Sequence, residues 1–152
     1  MSETKIIEPK KLIVCQGIPA SGKSTWAKAW VLEDPLHRVH INMDDIRNML
    51  GKYWVPERES LVLSIQEQAI IEALKQGYDI VIDNTNLKQV LVDKFHTLTL
   101  VFEDYEFQIK KFFDTPLSVC IERDKNRENP VGEQVIRNFY NRYKDRYNLN
   151  GN

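Results

Sequence analysis

The chain has 152 residues, 42% of them hydrophobic and 28% charged, with 21 Lys and Arg against 22 Asp and Glu. That length suits one domain with a core of its own, without disulfide or zinc staples, and the composition is neither disordered nor collagenous. A formal net charge of −1 argues against a bulk polyanion binder, which needs a basic excess, but leaves room for a local phosphate site.

Residues 1–10 read as an N-terminal tail, polar and mixed in charge, unlike a signal peptide. Residues 11–152 read as a single domain. Lys11 to Gln16 (K-L-I-V-C-Q) is a short apolar run entering a glycine, which predicts a buried strand. Gly17 to Gly22 is a tight loop, and Lys23 to about Glu33 a helix stopped by Asp34-Pro35. Arg38 to Asn42 predicts a second strand. Asp44-Asp45 can cap a short helix to Leu50, with Gly51 as its stop. Glu57 to Gln76 is the clearest long helix, with Leu61, Ile65, Ala69 and Leu74 near helical spacing and Gly77 at its end. Asp79 to Asp83 predicts a third strand ending in an acid. Leu87 to about Leu98 reads as a helix and Glu106 to Phe113 as a fourth strand. Asp114-Thr115-Pro116 opens a further helix with Pro near its first turn. A last helix runs from about Gly132 to Tyr147.

Strands thus alternate with helices throughout. The pattern predicts an α/β fold: a central, mostly parallel sheet with helices on both faces and functional loops at the carboxyl ends of the strands. No apolar stretch approaches the ~20 residues that cross a bilayer. Cys15 and Cys120 lack metal-ligand spacing, and Cys15 reads as a buried free thiol, as expected in a reducing cytosol.

Gly17-Ile18-Pro19-Ala20-Ser21-Gly22-Lys23-Ser24 fits G-x-x-x-x-G-K-[ST] between a predicted strand and a predicted helix. Glycines let the backbone N–H groups of such a loop wrap a phosphate, and the helix N-terminus adds positive potential. Gly17, Pro19, Ala20, Ser21, Gly22, Lys23, Ser24 and Thr25 are therefore the candidate nucleotide-binding residues. Lys23 would reach the β- and γ-phosphates of ATP, and the Ser24 hydroxyl would ligate Mg²⁺.

Asn42-Met43-Asp44-Asp45-Ile46-Arg47 follows the second strand directly. A carboxylate there can accept an acceptor hydroxyl's proton while orienting its oxygen for in-line attack. Arg47 lies one helical turn on, and its fork suits a phosphate. The plain alternative is a helix cap with a surface arginine. Asp83, closing the run I-V-I-D, can take the Ser24 hydroxyl proton or hold a Mg²⁺-bound water; otherwise it starts a turn with Asn84 and Asn86. Arg123 and Arg127 are four apart and would share a helix face among Glu122, Asp124, Lys125 and Glu128. Such a run usually marks a solvated face. Asn129, Pro130 and Gly132 would end that helix and form a hinge. His37, His40 and His96 are scattered and unsuited to metal binding. Phe112, Phe113, Phe139, Tyr140, Tyr143 and Tyr147 read as core or interface rather than base-stacking groups.

Four pieces appear in one order: G-I-P-A-S-G-K-S-T-W-A at Gly17–Ala27, I-N-M-D-D-I-R at Ile41–Arg47, D-N-T-N-L at Asp83–Leu87 and R-D-K-N-R at Arg123–Arg127. In them the chain resembles the kinase domain of the bacteriophage-type polynucleotide 5′-hydroxyl kinases. The resemblance implies a P-loop kinase fold with a helical lid, ATP as phosphate donor, Mg²⁺, and the 5′-OH of DNA or RNA as acceptor. It implies Asp44 as general base, Arg47 as contact to the acceptor's phosphate, and Arg123 and Arg127 as lid arginines acting with Lys23 in catalysis. Relatives carry the strand-end acid either where Asp83 stands or one place later, at Asn84, so the metal group is Ser24 with Asp83 or a neighbour. A cytoplasmic setting follows, the host cytoplasm for a phage-encoded chain. The family often joins this kinase to a phosphatase or ligase; 152 residues leave room for the kinase alone, so either would be a separate chain. Association with itself, DNA against RNA, and two rivals stay open: a small-molecule kinase acting on a sugar, antibiotic or nucleotide hydroxyl, and a non-catalytic ATP-binding switch.

Overall fold

The computed structural model describes residues 8–152. Most of the expected tail lies outside them; Lys10, expected in the tail, already pairs in the first strand. The elements in chain order are β1 (Lys10–Gln16), α1 (Lys23–Glu33), β2 (Arg38–Ile41), α2 (Met43–Met49), a 3₁₀ turn (Pro56–Arg58), α3 (Glu59–Gln76), β3 (Asp79–Asp83), α4 (Gln89–Val101), β4 (Tyr105–Lys111), α5 (Leu117–Lys125) and α6 (Glu133–Tyr147). The strands form one sheet in the order β2-β3-β1-β4, with every described pairing parallel.

β1 is central, so it must be apolar on both faces. Leu12 and Val14 point to one side, where they pack with Ile80 and Ile82 of β3, Ile70 and Leu74 of α3 and Phe95 of α4. Ile13 and Cys15 point to the other, against Ala27 and Trp30 of α1 and Val81 of β3. Each of the Leu, Ile, Val and Phe side chains among them contributes about 1.5–3 kcal/mol by leaving water. Burial also pushes the Cys15 thiol up to about 12, so it is inert as a nucleophile. A second core lies beyond the sheet's carboxyl edge. There Leu117, Cys120 and Ile121 of α5 and Ile136 and Tyr143 of α6 close over Ile18 and Leu87, from the loops after β1 and β3. This cluster fixes the late helices against the phosphate loop. No described helix is long and apolar enough to cross a membrane.

Three expectations need correction. The buried stripe of α3 is Val62, Gln66, Ile70 and Leu74, while Leu61 is 47% exposed. A polar member, Gln66, hides this stripe from apolar periodicity; its Oε1 accepts from Asn84 Nδ2 at 2.8 Å. The cap of α2 is Asn42 rather than Asp44 or Asp45, its Oδ1 accepting the Asp45 N–H at 2.7 Å. Finally, α5 ends at Lys125, so Arg127 lies on the turn beyond it and shares no helix face with Arg123. Other boundaries differ by a few residues, as at α4, where Leu87 is buried ahead of the helix rather than within it.

Candidate active site

The phosphate loop joins β1 to α1 at the carboxyl edge of the sheet. Gly17 has no room for a side chain: a Cβ there would stand 2.5 Å from Ser21 Oγ and 3.0 Å from the Phe112 carbonyl oxygen. Gly22 turns the chain into α1 at φ 107°, a conformation that disfavours any residue with a Cβ. The loop is tied at both ends, since the Gly17 N–H donates to Thr85 O at 3.1 Å and Thr115 Oγ1 donates to Ser21 O at 2.8 Å. The Lys23 ammonium is buried under the loop, donating to Gly17 O at 3.0 Å and Ile18 O at 2.8 Å. Burial lowers its pKa to about 8, against the raising field of Asp83. An Arg123 Nη1 lies 3.8 Å from where a Gly22 Cβ would stand, so this exposed guanidinium overhangs the loop.

Ser24 Oγ donates to Asp83 Oδ2 at 2.7 Å, across 59 residues of sequence. The same oxygen accepts from His40 Nε2 at 2.8 Å. An ionised carboxylate only accepts, so it assigns the proton to Nε2. Burial works against the Asp83 charge, but the bonds from His40 and Ser24 together with the field of Lys23 outweigh it and hold the carboxyl below the usual range. Asn84 is structurally engaged instead: its Oδ1 accepts the Met43 N–H at 2.9 Å while its amide holds Gln66. Asn86 is buried and stitches the strand ends, donating to Cys15 O at 2.8 Å and accepting at its carbonyl from Gln16 Nε2 at 3.0 Å.

Freed from capping, Asp44 faces outward from the first turn of α2, and its side chain is 44% exposed. Its Oδ1 accepts from Tyr53 OH at 2.6 Å and from Arg47 Nη1 at 2.7 Å. Its Oδ2 has Arg127 Nη2 at 3.5 Å. Burial, reinforced by Asp44, pushes the Tyr53 phenol up to about 12, so it stays a donor. Arg47 also grips Glu59 with two bonds, Nε to Oε1 at 2.8 Å and Nη2 to Oε2 at 3.1 Å.

Arg127 is held from behind. The buried Asp124 carboxylate accepts the N–H groups of Val131 at 3.0 Å and Gly132 at 2.9 Å, and lies 3.5 Å from Arg127 Nη1. Bonds to a charged acceptor are worth about 1.5–3 kcal/mol each, so the expected hinge is pinned at its far end. Asn129 Nδ2 reaches across to Asn48 Oδ1 of α2 at 3.2 Å.

A cavity of about 250 Å³ lies between these groups, lined by Ser24 and Lys28 of α1, His40, Asp44, Tyr53 and Arg127, among others. Ser24 of the phosphate loop, the Asp44 carboxylate and the Arg127 guanidinium thus meet in one space. Arg47 stands behind Asp44 and does not line it. His40, Tyr53, Glu59 and Asp124 escaped sequence reading. Only His40 left a signal, as a polar residue at the carboxyl end of a strand, where such folds place their sites.

A family model described as an AAA domain matches residues 12–149. The chain is 24% identical over 136 residues to an L-seryl-tRNA(Sec) kinase of Methanococcus maripaludis, covering 87% of this chain and 52% of that protein. It is 26% identical over 156 residues to a protein of Autographa californica nuclear polyhedrosis virus named "Putative bifunctional polynucleotide kinase/RNA ligase", covering 91% of this chain and 22% of the viral one. A chain of the Pnkp1/Rnl/Hen1 RNA repair complex superposes with a TM-score of 0.74 at 26% identity, over 97% of this chain and 49% of that one. The chain therefore spans about half or less of the length of these relatives. The parallel sheet flanked by helices is that of P-loop kinase structures.

Proposed function

The chain belongs to the AAA domain family, and from that premise we propose that it is an ATP-dependent polynucleotide 5′-hydroxyl kinase, moving the γ-phosphate of ATP to the 5′-OH of DNA or RNA. The observation that carries the reading is the shared cavity. A carboxylate held by Tyr53 and Arg47 faces the phosphate-loop serine across a space that Arg127 closes.

The roles follow from the bonds. Asp44 Oδ1 is taken by Tyr53 and Arg47, which leaves Oδ2 to accept the hydroxyl proton as the 5′-oxygen attacks the γ-phosphorus. The bond to the bridging oxygen breaks and ADP leaves. Arg127, beside Oδ2, offsets charge on the transferring group, and Arg123 overhangs the loop that holds the triphosphate. Lys23 exchanges loop carbonyls for phosphate oxygens, and the incoming charge favours its protonated form. Arg47 has five N–H donors, and its three observed bonds leave two for a phosphate on the acceptor. Glu59 would fix the direction in which they point.

Ser24 and Asp83 suit Mg²⁺, a hard cation that takes few protein oxygens and otherwise waters and phosphates. When bound, such an ion neutralises charge on the β- and γ-phosphates. His40 keeps the Asp83 carboxylate ionised and oriented for that purpose. Residues 11–152 would act as one kinase domain, with a phosphatase or ligase on a separate chain or on a further segment.

Transfer from radiolabelled ATP tests the reading. The panel holds 5′-OH single-stranded DNA and RNA, nucleoside 3′-phosphates, and small alcohols including serine and sugars. Label on the nucleic acid ends is expected. Label on small alcohols alone would replace the reading with a small-molecule kinase, and label on nothing despite ATP binding would replace it with a nucleotide-dependent switch.

A further inference from the structure

Between α2 and the 3₁₀ turn runs a short loop with two adjacent aromatic residues, of which Tyr53 lines the cavity and Trp54 packs on Arg47. Tyr53 is engaged with Asp44. Trp54 has no such employment: it is 54% exposed. The other tryptophans pack inward, Trp26 and Trp30 stacking with centroids 6.1 Å apart over the sheet face that α1 covers.

The loop is braced rather than slack. Arg58 donates to Leu50 O at 3.2 Å and to Lys52 O at 2.6 Å, and the Tyr53 hydroxyl anchors the residue before Trp54 to Asp44. The indole lies 5.6 Å from the Arg47 guanidinium carbon, and Arg47 itself bonds to Asp44. A half-exposed indole is therefore held one side chain away from the carboxylate. Its contact with Arg47 covers part of the ring, and much of the rest faces water.

We propose that Trp54 is a nucleobase subsite: a stacking platform for the base of the acceptor's 5′-terminal nucleotide. The inference rests on the polynucleotide reading above and adds a third point of contact to it. With the hydroxyl at Asp44 and the phosphate at Arg47, the base is the remaining group of that nucleotide, and Trp54 is the half-exposed aromatic that packs on Arg47. Every base has a π-face, so stacking here tolerates any sequence while favouring purines over pyrimidines. It also supplies affinity that the near-neutral chain does not draw from a broad basic surface.

The test compares two 5′-OH oligonucleotides of one sequence, one with adenine on the terminal nucleotide and one abasic there. Wild type should use the adenine end with an acceptor KM about tenfold below that of the abasic end, from the strength of a single stack. Trp54→Ala should collapse this ratio to about one, and Trp54→Phe should restore most of it. A structural role for Trp54 would raise KM for both ends and keep the ratio. That result, or wild type showing no preference, overturns the subsite and leaves the kinase reading intact. Transfer to small alcohols but to neither oligonucleotide overturns both. Should Trp54→Ala fail to fold, wild-type tryptophan fluorescence decides: quenching by the adenine end and not the abasic end supports the subsite, and equal quenching overturns it.

Discussion

The two halves of the cavity that the proposed function assigns to donor and acceptor are built differently. The donor half is one stretch of chain, from the end of β1 into α1, completed by Asp83 from the neighbouring strand. Its Lys23 and Asp83 side chains are buried. The acceptor half is assembled from side chains alone: Asp44 and Arg47 from α2, Tyr53 from a loop, Glu59 from α3 and Arg127 from beyond α5. These groups are only partly buried, from 17% exposed at the Arg47 side chain to 44% at Asp44. A triphosphate is the same ligand for every P-loop protein, so backbone can preorganise its site once and for all. An acceptor is particular to each enzyme and must enter and leave, so its site is carried by replaceable, partly solvated side chains.

The largest expected effects break the halves apart. Lys23→Ala and Asp44→Ala should each cost about a hundredfold or more in transfer rate, by loss of charge stabilisation in one case and of the base in the other. Their nucleotide binding should differ. Lys23→Ala should lose most of the thermal shift that ATP·Mg²⁺ gives, and Asp44→Ala should keep it. Wild-type kcat in Asp44→Ala on a 5′-OH oligonucleotide would remove Asp44 from the chemistry. An intermediate effect is expected at Arg47. Arg47→Ala should raise the acceptor KM about tenfold and leave the KM for ATP unchanged, since its fork lies behind Asp44 and away from the phosphate loop. Equal changes in both constants would mean that the halves are coupled through α2.

The same division governs what could be read from sequence. The phosphate loop is local, so its pattern between a strand and a helix is legible in sequence, whereas the bond that His40 makes to Asp83 from another strand is not. Asp83 was legible because it ends an apolar run. In the acceptor half only Asp44 and Arg47 lie within one motif. Tyr53 and Glu59 sit 9 and 12 residues from the groups they bond, in a loop and a helix start with no period of their own. Arg127 is legible as a residue but not in its place beyond the helix, because the Asp124 carboxylate that pins Val131 and Gly132 looks in sequence like one more charge in a solvated run. Of the buried stripe of α3 only Leu74 is legible, for a related reason: Gln66 is buried for its hydrogen bond, and polar residues buried for bonding are invisible to hydropathy.

The smallest expected effect isolates what burial costs the donor half. In the unfolded chain Lys23 titrates at its ordinary value of 10.5, and in the folded chain burial brings it to about 8. Below pH 8 both states hold the proton, and the folded state bears the full cost of a buried cation. Above it the folded chain has released a proton that the unfolded chain still binds, so stability rises with pH, by at most about 1.4 kcal/mol per unit. Cys15 works in the opposite sense: its thiol is raised from 9.0 to about 12, so its contribution is full below 9 and is lost above. The interval from about 8 to 9 therefore isolates the lysine. Urea denaturation at both ends of it, without nucleotide, should show wild type gaining stability relative to Lys23→Met. Saturating ATP·Mg²⁺ should abolish the gain, because the triphosphate supplies the counter-charge that burial withholds. A flat difference without nucleotide would mean that Lys23 is as well hydrated as a surface lysine, and the donor half would then be no more preorganised than the acceptor half.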